Sequence, residues 1–197
     1  PFKCLNGEGR VIDLEKESYW VNIASGAPSF ENIKVELNLN EKKDLGGKLI
    51  IIKNGYFALE ARKKIDNKTN QAYQNYFQNL YPNLIVKNYE AHNKLDARNP
   101  LIQRFDISFD VENNNQILFN PFIIKKIDQY PFSLDNRNYP VNFGFAKTLV
   151  YSISITIPED FEVLDLPENK KLSLPDSGGN YLFKVSQQKN KISLLSK

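Results

Sequence analysis

No stretch constrains the fold of this chain more than Thr148–Ile157. Tyr151, Ile153, Ile155 and Ile157 alternate there with Ser152, Ser154 and Thr156. Side chains along a strand point to opposite faces in turn, so this period gives one apolar and one wet face; on a helix the same spacing would scatter around the axis. Proline punctuates both flanks. Pro158 lacks a backbone donor and ends the run, Glu159-Asp160 makes a turn, and Phe161–Leu166 resumes in an extended form up to Pro167.

A second alternation, Ile33, Val35, Leu37 and Leu39 against Lys34, Glu36, Asn38 and Asn40, predicts another half-buried strand over 30–40. Glu41–Gly47 reads as a turn and Lys48–Lys53 as the return strand of an antiparallel hairpin. Gly46-Gly47 precedes a strand rather than opening a helix, so it is not a phosphate loop. Tyr56 to Ile65 fits a short helix, and a second is predicted over 69–80, where Tyr73, Tyr76, Phe77 and Leu80 form an apolar stripe of core type.

Further strands are expected near Val11-Ile12, at Tyr19–Ile23, Leu84–Ala91, Leu101–Val111, Leu172–Leu174, Tyr181–Val185 and Ile192–Leu195. Trp20 reads as a core anchor, because Trp buries a large area wherever packing permits. Ile117–Ile124, with Pro121 inside it, is expected to be an edge strand, two short pieces or a bulged segment. Asn113-Asn114-Asn115 is the best lobe boundary. The expected class is α+β and β-dominated, with antiparallel, sandwich-like sheets and a small two-helix insertion in the N-terminal half. A lobe over 1–115 and an all-β lobe over 116–197 are one reading of the organisation; a single continuous β-sandwich is the other.

The chain of 197 residues is long enough to bury a core without staples. Its 26 Lys plus Arg against 23 Asp plus Glu are spread evenly over both halves, so no basic groove for nucleic acid is expected. No apolar run is long enough to span a bilayer. The chain opens Pro-Phe-Lys and has no Met. It reads as an excised C-terminal piece, or as a chain whose Met residues were modified or removed, with any targeting signal upstream.

Thiol chemistry needs a thiolate beside an imidazole, commonly oriented by a third polar group, and Cys4, His92 and Asp96 or Asp106 supply the minimum parts. Cys4 lies in a Gly- and Asn-containing loop with no helix predicted after it, which is poor ground for an activated thiol. One Cys and one His cannot make a structural zinc site. Asp66–Asn70 and Asp135–Asn138 lack the spacing of a calcium loop and each contains a cation, so both read as turns; Asn67-Lys68-Thr69 also matches a glycosylation acceptor. No cofactor is expected. Tyr130, Phe132, Tyr139, Phe143 and Phe145 cluster around Arg137 between prolines, and Tyr130, Phe132, Arg137, Tyr139 and Phe143 are the candidate ligand-contacting residues. With no flanking basic excess they do not suit nucleic acid, but a sugar- or peptide-contacting surface stays open. For Arg137 alone, stacking or bonding backbone carbonyls within the β-lobe is the favoured use.

Asn120-Pro121-Phe122, Pro131-Phe132, Arg137, Tyr139-Pro140-Val141-Asn142-Phe143, Ile157-Pro158-Glu159 and Leu166-Pro167 together resemble the uncharacterised C-terminal module of bacterial transglutaminase-like proteins. Cys4-Leu5-Asn6-Gly7 with Gly9 is similar to the segment that follows the papain-like core in such proteins, so the resemblance runs over nearly the whole chain. It implies a parent protein with a secretion signal, an N-terminal domain of unknown function and a catalytic core, in the envelope of a Gram-negative cell, periplasmic or secreted. The family's catalytic Cys, His and Asp belong to that core, and no residue here matches them. The expectation is a non-catalytic accessory module with the adjacent transglutaminase-like domain as its partner and an envelope protein or glycan as a further one. An envelope glycan-binding module and a small thiol-dependent hydrolase built on Cys4 and His92 are the alternatives.

Overall fold

The computed structural model describes residues 7–24, 26–109, 116–124, 144–175 and 178–197. Along the chain these form β1 (Glu8–Val11), β2 (Tyr19–Asn22), β3 (Ser29–Leu39), β4 (Leu45–Lys53), α1 (Gly55–Ile65), α2 (Asn70–Leu80), β5 (Ile85–His92), β6 (Leu101–Phe109), β7 (Lys147–Thr156), β8 (Lys170–Ser173), β9 (Asn180–Gln188) and β10 (Lys191–Ser196). Eight strands make one sheet in the order β5-β6-β4-β3-β7-β10-β9-β8, and β1 and β2 make a separate ribbon. Every pairing is antiparallel except the central one, where β3 and β7 run parallel with Val35 opposite Ile153. The architecture is the β-dominated α+β class expected from sequence, with both helices inserted between β4 and β5.

The two alternating runs form the middle of the sheet. On one face Ile33, Val35, Leu37, Leu49, Ile51, Phe105, Ile107, Tyr151, Ile153 and Leu194 are buried in a single cluster. Each such side chain contributes about 1.5–3 kcal/mol through burial. The alternate residues Lys34, Glu36, Lys48 and Arg104 stand exposed on the other face.

The helices roof the apolar face over the N-terminal half. The Thr69 hydroxyl caps α2 by accepting from the Ala72 N–H at 3.1 Å, so the polar run 66–70 is used as a helix-linking turn. The aromatic stripe lands as its spacing predicts: the Phe77 ring stacks on Phe105 at 4.2 Å and Tyr73 lies against Tyr89 at 4.7 Å. Leu80, counted in that stripe, turns outward instead. At the start of α1, Gly55 adopts φ +54°, and a Cβ there would collide with Ser29 Oγ, which accepts from the Tyr56 N–H at 2.9 Å. Over the C-terminal half the roof is the segment 116–124. Phe122 packs on Tyr151 at 5.2 Å and on Phe183 at 6.3 Å. The Tyr151 hydroxyl donates to the Pro121 carbonyl at 2.6 Å and accepts from the Ile123 N–H at 3.2 Å.

That segment corrects the strand expectation for 117–124. It is irregular, because Pro121 has no N–H to offer a ladder and the side chains of Phe122 and Ile124 are needed on the core. Leu45-Gly46-Gly47 is also corrected: it belongs to β4, not to the turn. Gly47 lies opposite Leu37, where a Cβ would run into the Glu36 carbonyl oxygen, so glycine here permits a close strand approach.

Candidate functional site

The sequence-predicted contact residues Tyr130, Phe132, Arg137, Tyr139 and Phe143 lie outside the described residues, as do Cys4 and Asp135–Asn138. Their neighbour Phe145 is described; it packs on Tyr56 at 4.7 Å and edge-on to Phe57 at 5.9 Å, with Lys147 Nζ 5.1 Å from its ring centre. Of the thiol-enzyme parts that are described, His92 is exposed at the end of β5, 3.6 Å from Glu90. Asp96 lies in the β5–β6 loop, where Asn99 and the Arg98 N–H hold its carboxyl below the usual range. Asp106 is on β6, 3.4 Å from Asn88.

Ionisable groups near the core are held by structural contacts. Arg62, on α1, donates to the backbone carbonyls of Asn93 at 3.1 Å, Asp96 at 2.6 Å and Asn99 at 2.7 Å, and so fastens the β5–β6 loop to the helix. Lys53 and the buried Glu31 sit opposite each other on β4 and β3 and pair at 3.0 Å. Removing one partner would leave an uncompensated buried charge, which costs about 3–5 kcal/mol.

The surface that stands apart is the β1–β2 ribbon. Trp20 is 62% exposed, which corrects the core-anchor expectation. The reason is position: two strands paired only with each other offer no second layer to bury an indole. Arg10, opposite Trp20 in the register, places its guanidinium 5.9 Å from the ring centre. Tyr19, next along β2 and so on the opposite face of the ribbon, is also exposed, as are Ile12 and Leu14 after β1. Composition alone could not reveal this, since the ribbon has the same apolar content as a core strand.

The two edges of the main sheet differ. Along β5, α2 supplies glutamines to the strand's outer backbone: Gln78 Oε1 accepts from the Val86 N–H at 2.8 Å, Gln78 Nε2 donates to the Leu84 carbonyl, and Gln74 Nε2 donates to the Val86 carbonyl at 2.8 Å. Along β8 nothing among the described residues pairs with the outer side, and all four residues are exposed. Leu172, Leu174 and Tyr181 form an exposed apolar strip beside that edge.

Against known families, residues 115–197 match DUF3858, described as a Domain of Unknown Function with a solved structure. The matched region takes in the roofing segment and β7–β10, together with the proline-punctuated motifs from Asn120 to Pro167. No curated protein and no solved structure matches the chain. No helix among the described residues is long and apolar enough to cross a membrane.

Proposed function

We propose that this chain is a non-catalytic accessory module that docks on, and positions, a transglutaminase-like catalytic domain of the same polypeptide in the cell envelope. The observation that supports docking is the ribbon. An isolated two-stranded ribbon is marginal in water, and one that exposes Trp20 on one face and Tyr19 on the other, with Ile12 and Leu14 exposed after β1, gains stability when a neighbour covers it. Trp, Tyr and Arg, here Trp20 with Arg10 across from it and Tyr19 on the other face, are also the residue types that dominate contact energies in protein interfaces. The transglutaminase-like neighbour and the envelope location rest on the sequence resemblance. The alternative of an envelope glycan-binding module draws on the same exposed Trp20.

Trp20 is the sole indole of this chain. In this chain alone its fluorescence should be quenched by acrylamide as a water-exposed indole; in the full polypeptide its contribution, taken as the difference between the native protein and Trp20→Phe, should lie to the blue and be shielded. Equal quenching in both would overturn docking through the ribbon. In the same spirit, Cys4→Ala should leave any acyl-transfer activity of the full polypeptide unchanged, and loss of turnover would restore the thiol-enzyme reading.

A further inference from the structure

The face of the sheet turned away from the helices is not uniformly charged. Across its centre the register aligns Lys34, Ser152, Leu195 and Lys184 in one row, and Glu36, Ser154, Ser193 and Ser186 in the next. Ser152, Ser154 and Ser193 are short, and with Leu195 they floor a trough of about 390 Å³ whose accessible lining is more apolar than polar, walled by Lys34 on one side and by Lys184 and Ser186 on the other. With strands about 4.8 Å apart, the two lysine Cα positions stand about 14 Å from each other. Ser152 Oγ leans 3.4 Å from the Ile33 carbonyl, while Ser154, Ser186 and Ser193 make no side-chain hydrogen bond among the described residues.

The field over the trough is positive. Lys34 pairs with Glu36 at 2.6 Å, and Glu36 is held ionised first by Lys34 and then by the charges of Lys191 and Lys48. Among the described residues four ammonium groups, Lys34, Lys48, Lys184 and Lys191, thus stand against two carboxylates, Glu36 and Asp106, the latter opposite Lys48. We infer that this trough binds an acidic oligosaccharide, laid along β7 and β10 with its hydroxyls on the serines and its carboxylates on Lys34 and Lys184.

Other occupants fit less well. An extended peptide binds a sheet through unpaired backbone groups, and β7 and β10 each have a strand on both sides. Nucleobases need aromatic platforms, and no aromatic side chain among the described residues lines the trough. The trough lies open to solvent along the sheet, whereas sites for compact apolar ligands bury most of the ligand. The inference uses no residue of the ribbon, so it can fail while docking stands, and the reverse.

The test is calorimetric titration of the chain with an oligogalacturonate, a neutral malto-oligosaccharide of equal length and a glutamate hexapeptide. The expected result is binding of the oligogalacturonate that weakens with salt, with the other two at least tenfold weaker. Lys184→Gln should weaken it about threefold and Lys34→Gln with Lys184→Gln about tenfold, as expected for exposed charge pairs. Arg104→Gln, on the same face but outside the trough, should change nothing. Absence of binding, equal binding of the glutamate peptide, or indifference to the double substitution would each overturn the inference.

Discussion

At one edge of the sheet the start of β5 is closed by side chains: Gln74 and Gln78 from α2 bond both backbone groups of Val86 and the Leu84 carbonyl. At the other, β8 has no outer partner among the described residues, is only four residues long, and carries Lys170 and Lys171. Each edge carries a feature that opposes self-association. The first satisfies the backbone groups of Val86 at its start; the second has shortness and charge, since a second copy laid against it would bring lysines together. Satisfying an edge commits a helix to it, whereas guarding it by charge leaves the apolar strip of Leu172, Leu174 and Tyr181 accessible.

The contrast can be broken most forcefully at Phe77, which seats α2 against Phe105. Phe77→Ala should cost about 3–5 kcal/mol in urea unfolding. It should also speed hydrogen exchange along β5 while leaving β8 unchanged. Gln78→Ala is the sharper test of edge closure. It orphans the Val86 N–H and the Leu84 carbonyl, should cost about 1–3 kcal/mol, and should raise exchange at Val86. A cost near zero would mean that water serves β5 as well as the glutamines do.

Tyr151→Phe tests the C-terminal roof. It removes the hydroxyl that holds Pro121 and Ile123 and should cost about 1–2 kcal/mol. The same hydroxyl makes stability pH-dependent. Burial raises the pKa of Tyr151, and likewise of Tyr89 and Tyr73 at the α2 end. Above about pH 10 the unfolded chain releases protons that the folded chain retains, so stability falls as pH rises. Thermal melts from pH 9 to 11 should show that fall, and it should be smaller in Tyr151→Phe. The smallest effect is expected at the bare edge: Leu172→Ser should stay within about 0.5 kcal/mol, because its side chain is already exposed. A large loss there would show that β8 is packed against something.

The strands with clean alternation were legible from sequence because β3 and β7 have one dry and one wet face, and period two records that directly. The span of α2 was legible in the three- and four-residue spacing of Tyr73, Tyr76 and Phe77. What could not be read depends on partners distant in the chain. Nothing in Gly46-Gly47 distinguishes a turn from a strand squeezed against the Glu36 carbonyl. Gln74 and Gln78 look like solvated helix residues until β5 is placed beneath them. The parallel seam of β3 and β7 is equally invisible, since alternation specifies a face and not a direction. Of the candidate sites, the thiol trio and the Arg137 cluster were drawn from residue types, whereas the ribbon and the serine trough emerge only from pairing.

That seam shapes how the molecule comes into being. The bond from Ser152 to Ile33 across it spans 119 residues, so a nascent chain that has emerged only through β6 holds β3 with one side unbonded. Such long-range closure slows folding and leaves an eleven-residue strand able to recruit a neighbour. Synthesis halted before β7 is therefore expected to yield a fragment that clumps with its own kind.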